Sequence, residues 1–581
     1  MDNIERIINE VSKEKIRETV EWLTHNTPYR LAGSYDEKFA AEYITERMKK
    51  YGLEVFNQEF YTYNSNPVSS ELEIISPVSI KMDSLPCAHI KSTSEEGEVF
   101  EVVYLKSGSY EDYKGLDVSG KMVLVEVSYS PPVPEKARIA SSMKAAGIIC
   151  MNWGNDEEVI CNRGLKAVWG NPTQNTLEDI PDITGISITR KDGLKLKELC
   201  ISGQTVKIKV KAEASREWSK VHQPLGILHG NGKSEQFILV ASHIDAWMPG
   251  VTCNATGNAT NLEICRILAK HKDELDRDVY FVFWNGHEIA EASGSTWFVD
   301  NNWNLINDKC IGYINIDSTG VRETEIFEIK ASDELIEFAE KNANDSVEID
   351  TIRAMALKKI GDQSFMGIGV PAVAQRMSYT QEVMDRNHGA TLGWWNHTCE
   401  DGLDKYDIET LYKDTRVTLS LIWKLAQSHI LPYNFKKKFE SMEDRVMALA
   451  QKYGSDFELA SLCNEVSEAG KAVESVQKRA FKITDAAKIE DYNRFVMIVS
   501  RLTTNVFQTY SEKYQQDSYG YTKLSAMVPL LADLDTLNSL DKDSFEYGMV
   551  VTQLVKNKNR ISDAMKQVKD FAYLYDKILK I

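Results

Sequence analysis

The chain has 581 residues, more than one hydrophobic core holds, and at roughly 150 residues per domain we expect three structural units. Its formal net charge of −18 argues against nucleic acid and membranes as partners, since nucleic acid and anionic membranes are bound by basic surfaces. No segment approaches the ~18 apolar residues of a membrane span. The N-terminus carries no apolar secretory signal and the nine cysteines are scattered, which predicts a cytoplasmic protein with reduced thiols.

The first 65 residues predict helices followed by a strand. Apolar residues recur at helical spacing over residues 36–51, directly after the Gly33-Ser34 turn, and Gly52 ends this helix. The following stretch, LEVFNQEFYTY, has the composition of a β-strand.

Residues 66–215 differ in character from the segment before them. Short β runs such as GEVFEVVYL, KMVLVEV and TVKIKVKA are separated by turn residues, with one helix in EKARIASSMKAAG. This pattern predicts a β-rich domain inserted into a larger one.

Residues 216–430 alternate between strands and helices, and with residues 1–65 they are predicted to form one α/β unit. FILVASHID, DVYFVFWN and CIGYINID are continuous apolar runs, typical of parallel strands buried on both faces. Residues 431–581 instead carry four segments of helical periodicity and predict an antiparallel helical bundle.

Metal-ligating side chains follow the predicted strands. His243, Glu288 and Asp317 each lie at or just after a strand end, and His397 lies in a later loop. Parallel strands bring their carboxyl ends to one sheet edge, and imidazole and carboxylate are ligands of catalytic zinc. A lone histidine or acid at a strand end is usually structural, but the four together indicate a metal site that activates water. The sequence HEIAE at 287–291 lacks the second histidine of a zincin helix.

These segments resemble the co-catalytic zinc exopeptidases, the superfamily of zinc aminopeptidases, glutamate carboxypeptidases and the transferrin receptor. The resemblance is carried by SHIDAWMPGVTCNATGNAT, FVFWNGHEIAEASGSTWFV, GYINIDSTG, GDQSFMGIGVPAV and NHTCEDGLDKYD. It implies a three-layer α/β sandwich for residues 1–65 and 216–430. It also implies a protease-associated domain at 66–215 and a helical domain at 431–581 that mediates homodimerisation.

The same resemblance implies roles for individual residues. His243 and Asp317 would hold one metal, and Glu288 and His397 would hold another. The cofactor would be one or two zinc ions or another divalent metal. Asp245 would orient His243 by a hydrogen bond.

Three positions depart from the family pattern. Cys253 occupies the place of the bridging aspartate, His287 that of the glutamate general base, and Asn396 that of a tyrosine in the glutamate carboxypeptidase branch. A thiolate is a good zinc ligand and can bridge two metals; the alternative is a buried cysteine and the loss of one metal. His287 is a candidate general base or a metal ligand, and otherwise marks lost catalysis.

The substrate-binding residues are predicted from position alone. Arg376 is placed to hold a substrate carboxylate, and Tyr379, Trp247 and Asn396 to contact the substrate. The inserted domain would cover the cleft with a loop that contains Arg163 and Trp169.

The resemblance therefore implies a zinc-dependent hydrolase of peptide or amide bonds in a small molecule or short peptide, aminopeptidase-like or carboxypeptidase-like. Two alternatives stay open. One is a metal-dependent enzyme acting on a non-peptide small molecule. The other is an inactive binding homologue of the transferrin-receptor type.

Overall fold

The computed structural model describes residues 3–154, 159–454, 456–480 and 482–580. Its first part consists of helices α1 (Asn3–Ile8), α2 (Lys13–Asn26) and α3 (Tyr35–Tyr51) and strand β1 (Glu54–Asn64). The side chain of Ser34 caps α3, and Gly52 ends it in the left-handed conformation with φ 90°. The helix predicted over residues 36–51 is confirmed.

The described residues of the next segment form eight strands and two α-helices. They are β2 (Pro67–Ser76), β3 (Ile80–Met82), β4 (Leu85–Pro86), β5 (Glu98–Tyr104), β6 (Met122–Glu126), α4 (Val133–Ser142), β7 (Gly147–Met151), β8 (Thr184–Ile188), α5 (Arg190–Ile201) and β9 (Lys207–Ala214). Helix α5 was not predicted because Gly193 weakens the helical signal. A Cβ at Gly193 would lie 2.4 Å from the Met151 side chain, so the glycine permits close helix–sheet packing.

Strands and helices alternate in the following part, as predicted. They are β10 (Glu217–Leu228), β11 (Phe237–His243), α6 (Thr256–Lys270), β12 (Asp278–Trp284), α7 (Ser293–Asn301), α8 (Trp303–Lys309), β13 (Cys310–Asn315), β14 (Ile326–Ala331), α9 (Ile336–Ser346), β15 (Ile352–Ala356), β16 (Ala372–Ser378), α10 (Gln381–Arg386) and α11 (Ile408–Gln427).

Two eight-stranded sheets organise these elements. The first has the order β1-β10-β12-β11-β13-β16-β14-β15, and the second β3-β2-β9-β5-β6-β7-β8-β4. In the first sheet, the neighbours β12, β11, β13 and β16 pair parallel, as do β14 and β15. The pairs β1–β10, β10–β12 and β16–β14 are antiparallel. The sheet is therefore mixed, and the parallel arrangement predicted from the sequence holds at its centre.

The segment that forms the second sheet is connected to the first sheet at both of its ends, through β1 and β10. Strands β1 and β10 pair along their length, with Asn64 opposite Glu217, so the ends of the intervening segment are adjacent. A separate apolar core, from Leu72 to Ala214, belongs to this segment. The mixed α/β fold with two sheets is confirmed. The exact domain boundaries and the protease-associated identity of the segment stay predictions.

The C-terminal part is helical. Its helices are α12 (Phe435–Tyr453), α13 (Leu459–Ala480), α14 (Ala486–Phe507), α15 (Leu534–Leu537) and α16 (Phe545–Lys580). Helix α13 packs against α12 and α16, and one apolar cluster continues from these helices to the first sheet. Among the described residues, no helix has the length and apolarity needed to cross a bilayer. The predicted homodimer through these helices stays a prediction.

Arg30 supports the loop that follows β11. It is fully buried, and its guanidinium donates to the carbonyl oxygens of Ile244 at 3.2 Å, Pro249 at 3.1 Å and Gly250 at 2.8 Å. We expect Arg30→Met to lower the free energy of unfolding by about 3–5 kcal/mol, because it leaves several buried carbonyls without donors. Chemical denaturation measures this. The control Lys49→Met removes an exposed ion pair with Glu46 and should cost less than about 1 kcal/mol; equal losses would contradict the role of Arg30.

Candidate metal centre

Three adjacent strands deliver three of the predicted ligands to one sheet edge. His243 is the last residue of β11, Glu288 lies in the turn after β12, and Asp317 follows β13. Strand β11 pairs with both of the others, so their carboxyl ends are neighbours. His397 reaches the same place from the loop between α10 and α11.

Cys253 lies between the two predicted ligand pairs. Its Sγ is 3.7 Å from Nε2 of His243, 3.4 Å from Oε1 of Glu288 and 3.7 Å from Nε2 of His397. Within the pairs, Nε2 of His243 is 3.6 Å from Oδ1 of Asp317, and Nε2 of His397 is 3.1 Å from Oε2 of Glu288. The thiol is therefore in reach of both pairs.

These separations fit ligands that share a metal ion. Zinc–nitrogen distances of about 2.0–2.1 Å and zinc–sulfur distances of about 2.3 Å place tetrahedral ligand atoms about 3.3–3.6 Å apart. Among the described residues, three groups of possible ligands have atoms within 4.8 Å of one another. Two of them contain Cys253: His243, Cys253 and Asp317, and Cys253, Glu288 and His397. The third is His243, His287 and Glu288. The donor set of thiol, imidazole and carboxylate thus suits two divalent ions with Cys253 between them.

The loop that carries Cys253 is fixed by Asp401. The buried carboxylate of Asp401 accepts the backbone N–H of Thr252 at 2.9 Å and that of Cys253 at 3.2 Å. It also accepts the Thr252 hydroxyl at 2.7 Å. Asp401 belongs to the segment NHTCEDGLDKYD that carries the resemblance, but no sequence pattern gave it a role.

Asp245 positions two strand ends. Nδ1 of His243 donates to the Asp245 carbonyl oxygen at 2.8 Å and lies 3.7 Å from the Asp245 carboxylate. That carboxylate accepts the backbone N–H groups of His287 at 3.2 Å and Glu288 at 2.9 Å. Asp245 therefore orients His243 chiefly through its main chain, because its side chain is occupied by the neighbouring turn.

The ligand side chains perturb one another's protonation. Burial favours the neutral carboxyl of Glu288, but the hydrogen bond and charge interaction with His397, together with His287 and His243, outweigh it and lower the Glu288 pKa to about 2. Burial lowers the pKa of His243, yet hydrogen bonds to Asp245 and Asp317 raise it well above its usual value. Burial, with the charge of Glu288, raises the pKa of the Cys253 thiol. Without metal, the thiol keeps its proton, so metal binding through it would release that proton.

His287 borders the metal ligands and has its own acidic partner. Its ring stacks on His243 with centroids 3.9 Å apart, and its Nδ1 is 3.0 Å from Oδ2 of Asp362. Burial and the neighbouring His243 lower the His287 pKa, but Asp362 outweighs both and raises it to about 9. His287 also lies within ligand distance of His243 and Glu288, so the geometry admits both of its predicted roles.

A cavity of about 480 Å³ opens onto this centre and is lined by all three parts of the chain. Trp247, Arg376 and Asn396 line it, as do Arg163 and Trp169 of the inserted segment. Tyr379 does not belong to the lining: it is buried in a cluster with Val321, Val383 and Trp395. Tyr519, from the C-terminal part, lines the cavity and had no signal in the sequence.

Cationic side chains make the cavity suitable for an anionic group. The guanidinium of Arg163 lies 4.5 Å from the Trp153 ring, and its Nε and Nη2 are buried without a hydrogen-bond partner among the described residues. Lys330 and Arg376 also line the cavity. Arg376 donates to the Asp317 carbonyl at 2.8 Å, and Lys330 pairs with Glu328 at 2.6 Å, so Arg163 has the most donor capacity left.

Residues 225–422 match the profile of peptidase family M28, which confirms the predicted resemblance to the co-catalytic zinc exopeptidases. A probable glutamate carboxypeptidase of Zea mays is 22% identical over 342 residues, covering 49% of this chain and 48% of its own length. A second, from Arabidopsis thaliana, is 21% identical over 321 residues, covering 49% and 44%. The chain spans about half the length of these relatives.

Solved structures show the same fold. An aminopeptidase from an Aneurinibacillus species aligns with a TM-score of 0.56 and 22% identity over 73% of this chain and 96% of that one. A zinc aminopeptidase from Bacillus subtilis aligns with a TM-score of 0.56 and 20% identity over 72% and 96%.

Proposed function

With the resemblance to the co-catalytic zinc exopeptidases confirmed, we propose that this chain is a metal-dependent hydrolase of peptide or amide bonds in small substrates. The observation that carries the proposal is the position of the Cys253 sulfur, within 3.7 Å of ligand atoms from both pairs. This arrangement supports two divalent ions, with zinc as the first candidate because N, O and S ligands of this kind suit it. When bound, the ions would activate water and polarise the scissile carbonyl.

The chain's own residues supply the remaining steps. His287 lines the cavity beside the ligands, and Asp362 holds its Nδ1. The pKa of about 9 belongs to the metal-free site. The charge of bound ions would lower it, and Nε2 would then accept a proton from water and return it to the leaving amine. Asp245 keeps the ligand turn in place through the two N–H groups that its carboxylate accepts. Trp153, Trp169 and Trp247 enclose the cavity and limit its contact with water.

We further propose that the substrate carries a carboxylate, bound by Arg163. A guanidinium whose buried N–H groups have no partner is stabilised strongly by a carboxylate, which accepts two parallel hydrogen bonds from it. The names of the Zea mays and Arabidopsis thaliana relatives, probable glutamate carboxypeptidases, support this choice.

The Arg163 proposal predicts a substrate-dependent effect. Arg163→Ala should raise KM for a carboxylate substrate by roughly 10–100-fold, because a hydrogen bond to a charged group contributes about 1.5–3 kcal/mol. For the same substrate with its carboxylate converted to an amide, the wild type and Arg163→Ala should have similar KM values. Steady-state kinetics on both substrates measures it; equal KM changes for acid and amide would contradict carboxylate binding by Arg163.

The function itself is tested by a substrate screen with and without chelator. Acyl-glutamate, aminoacyl and simple amide substrates cover the proposed activities. We expect hydrolysis of at least one peptide or amide class, lost on chelation and restored by zinc or another divalent ion. Metal-dependent turnover of a non-peptide compound alone would favour an enzyme that acts on non-peptide small molecules. The departures from the family pattern at Cys253 and His287 would fit that result. A metal-loaded protein that turns over nothing would favour the binding homologue.

A further inference from the structure

The turn after Glu288 is held by residues from the inserted segment. Its three successive carbonyl oxygens, those of residues 289–291, each accept one hydrogen bond from that segment. His89 Nε2 donates to the first at 2.6 Å, Lys166 Nζ to the second at 2.7 Å, and the Gly170 N–H to the third at 2.7 Å. Three consecutive bonds from one segment fix the main chain that presents a ligand.

The same turn has an unusual backbone. Glu291 and Ala292 have φ values of 49° and 56°, in the left-handed region that residues with a Cβ rarely adopt. Such a conformation persists only where surrounding contacts offset its energetic cost. The donors from the inserted segment supply those contacts.

His397 is held in the same way. Its carbonyl oxygen accepts both the backbone N–H of Asn162 at 2.8 Å and the Asn162 side-chain amide at 3.0 Å. His397 also has a positive φ, 61°, and the sulfur of Cys161 lies 3.2 Å from the carbonyl oxygen of Asn396. The loop 161–170 therefore contacts the main chain at both ligands of one metal.

The other two ligands are supported from within their own unit. The His243 carbonyl accepts the side-chain amide of Asn258 at 2.9 Å, and the Asp317 carbonyl accepts Arg376 at 2.8 Å. The two predicted metal positions thus differ in which part of the chain holds them.

We infer that the loop 161–170, together with His89, is a positioning element for the metal held by Glu288 and His397, and that Lys166 is its main positioning residue. This inference rests on the proposed metal-dependent function. Lys166 is 1% exposed, and its Nζ donates to the Ala290 carbonyl at 2.7 Å and the Tyr63 carbonyl at 3.4 Å. A buried amine that donates in this way orients a ligand-bearing turn without touching the metal.

The test measures zinc binding to metal-free protein by competition with a chromophoric chelator, which yields both dissociation constants of the full-length chain. Lys166→Met should raise one of the two constants by about 10–100-fold and leave the other unchanged, as outer-shell contacts to ligands typically do. The His397→Ala variant identifies which site is weakened. With one equivalent of cobalt added in place of zinc, Lys166→Met and His397→Ala should show the same absorption spectrum, because both would bind it at the remaining site.

Two further variants make the result decisive. Asn162→Ala keeps its backbone bond to His397 and should weaken the same site by roughly 10-fold, which tests the inference even where Lys166→Met does not fold. Asn171→Ala is the matched control, because Asn171 bonds the backbone of Tyr61 and Tyr63 on β1 and not the ligand turns. It should leave both constants unchanged.

The outcomes separate this inference from the proposed function. Wild-type protein that binds two ions, with both constants unchanged in the Lys166 and Asn162 variants, would overturn the positioning role alone. Equal weakening of both sites, or weakening by Asn171→Ala as well, would overturn its selectivity for one site. Wild-type protein that binds no ion would overturn the proposed function, and the inference with it.

Discussion

Replacement of Cys253 by alanine is expected to remove at least one metal ion per chain and to lower kcat/KM by more than about 100-fold. The sulfur lies 3.4–3.7 Å from ligand atoms of both pairs, so its loss leaves each ion with two of its three protein ligands. Loss of an outer-shell contact already costs about 10–100-fold in affinity or activity, and a shared ligand should cost more. Metal analysis and steady-state kinetics measure the two effects.

The replacement Cys253→Asp sharpens this prediction. The resemblance implies an aspartate bridge at this position, so the carboxylate variant should retain both ions where the alanine variant does not. Cys265→Ala is the matched control, because Cys265 is also fully buried but lies on α6 away from the described ligands. Full metal content in Cys253→Ala would refute ligation by the thiol.

Replacement of His287 by glutamine is expected to lower kcat by about 10²–10⁴-fold, the usual contribution of a general acid–base residue, with both metal ions retained. The reason is geometric: the ring lies beside the ligands and its Nδ1 is already engaged by Asp362 at 3.0 Å. Kinetics and metal content, measured on the same preparation, distinguish a base from a ligand. Loss of a metal ion in this variant would show that His287 is a ligand.

Two related variants test the assignment of His287 independently. His287→Glu restores the residue type of the family's base and should recover part of the lost kcat. Asp362→Asn removes the charge that holds the ring and should lower kcat less than His287→Gln does, without loss of metal. An Asp362 variant with unchanged kcat would contradict the role of the pair.

The candidate metal ligands could be predicted because the sheet forces them together. His243, Glu288 and Asp317 follow continuous apolar runs, and such runs become neighbouring strands whose ends meet. Cys253 could be placed near them through the resemblance, but its position between the pairs depends on the loop that Asp401 holds. No sequence pattern showed that loop conformation.

Residues that act across units were not predictable in the same way. Lys166 is almost completely buried, whereas lysine in a sequence normally indicates an exposed surface. Tyr519 reaches the cavity, and Asp362 the ring of His287, from distant parts of the chain. Tyr379 was predicted to contact substrate because it follows a strand, but its side chain packs into an apolar cluster instead.

The central claim is that two divalent ions share Cys253, and the metal content of the purified protein tests it most directly. Mass-spectrometric metal analysis after purification without chelator should find two ions per chain in the wild type and fewer in Cys253→Ala. Fewer than two ions per wild-type chain, after incubation with excess zinc and removal of the unbound metal, would contradict a shared Cys253.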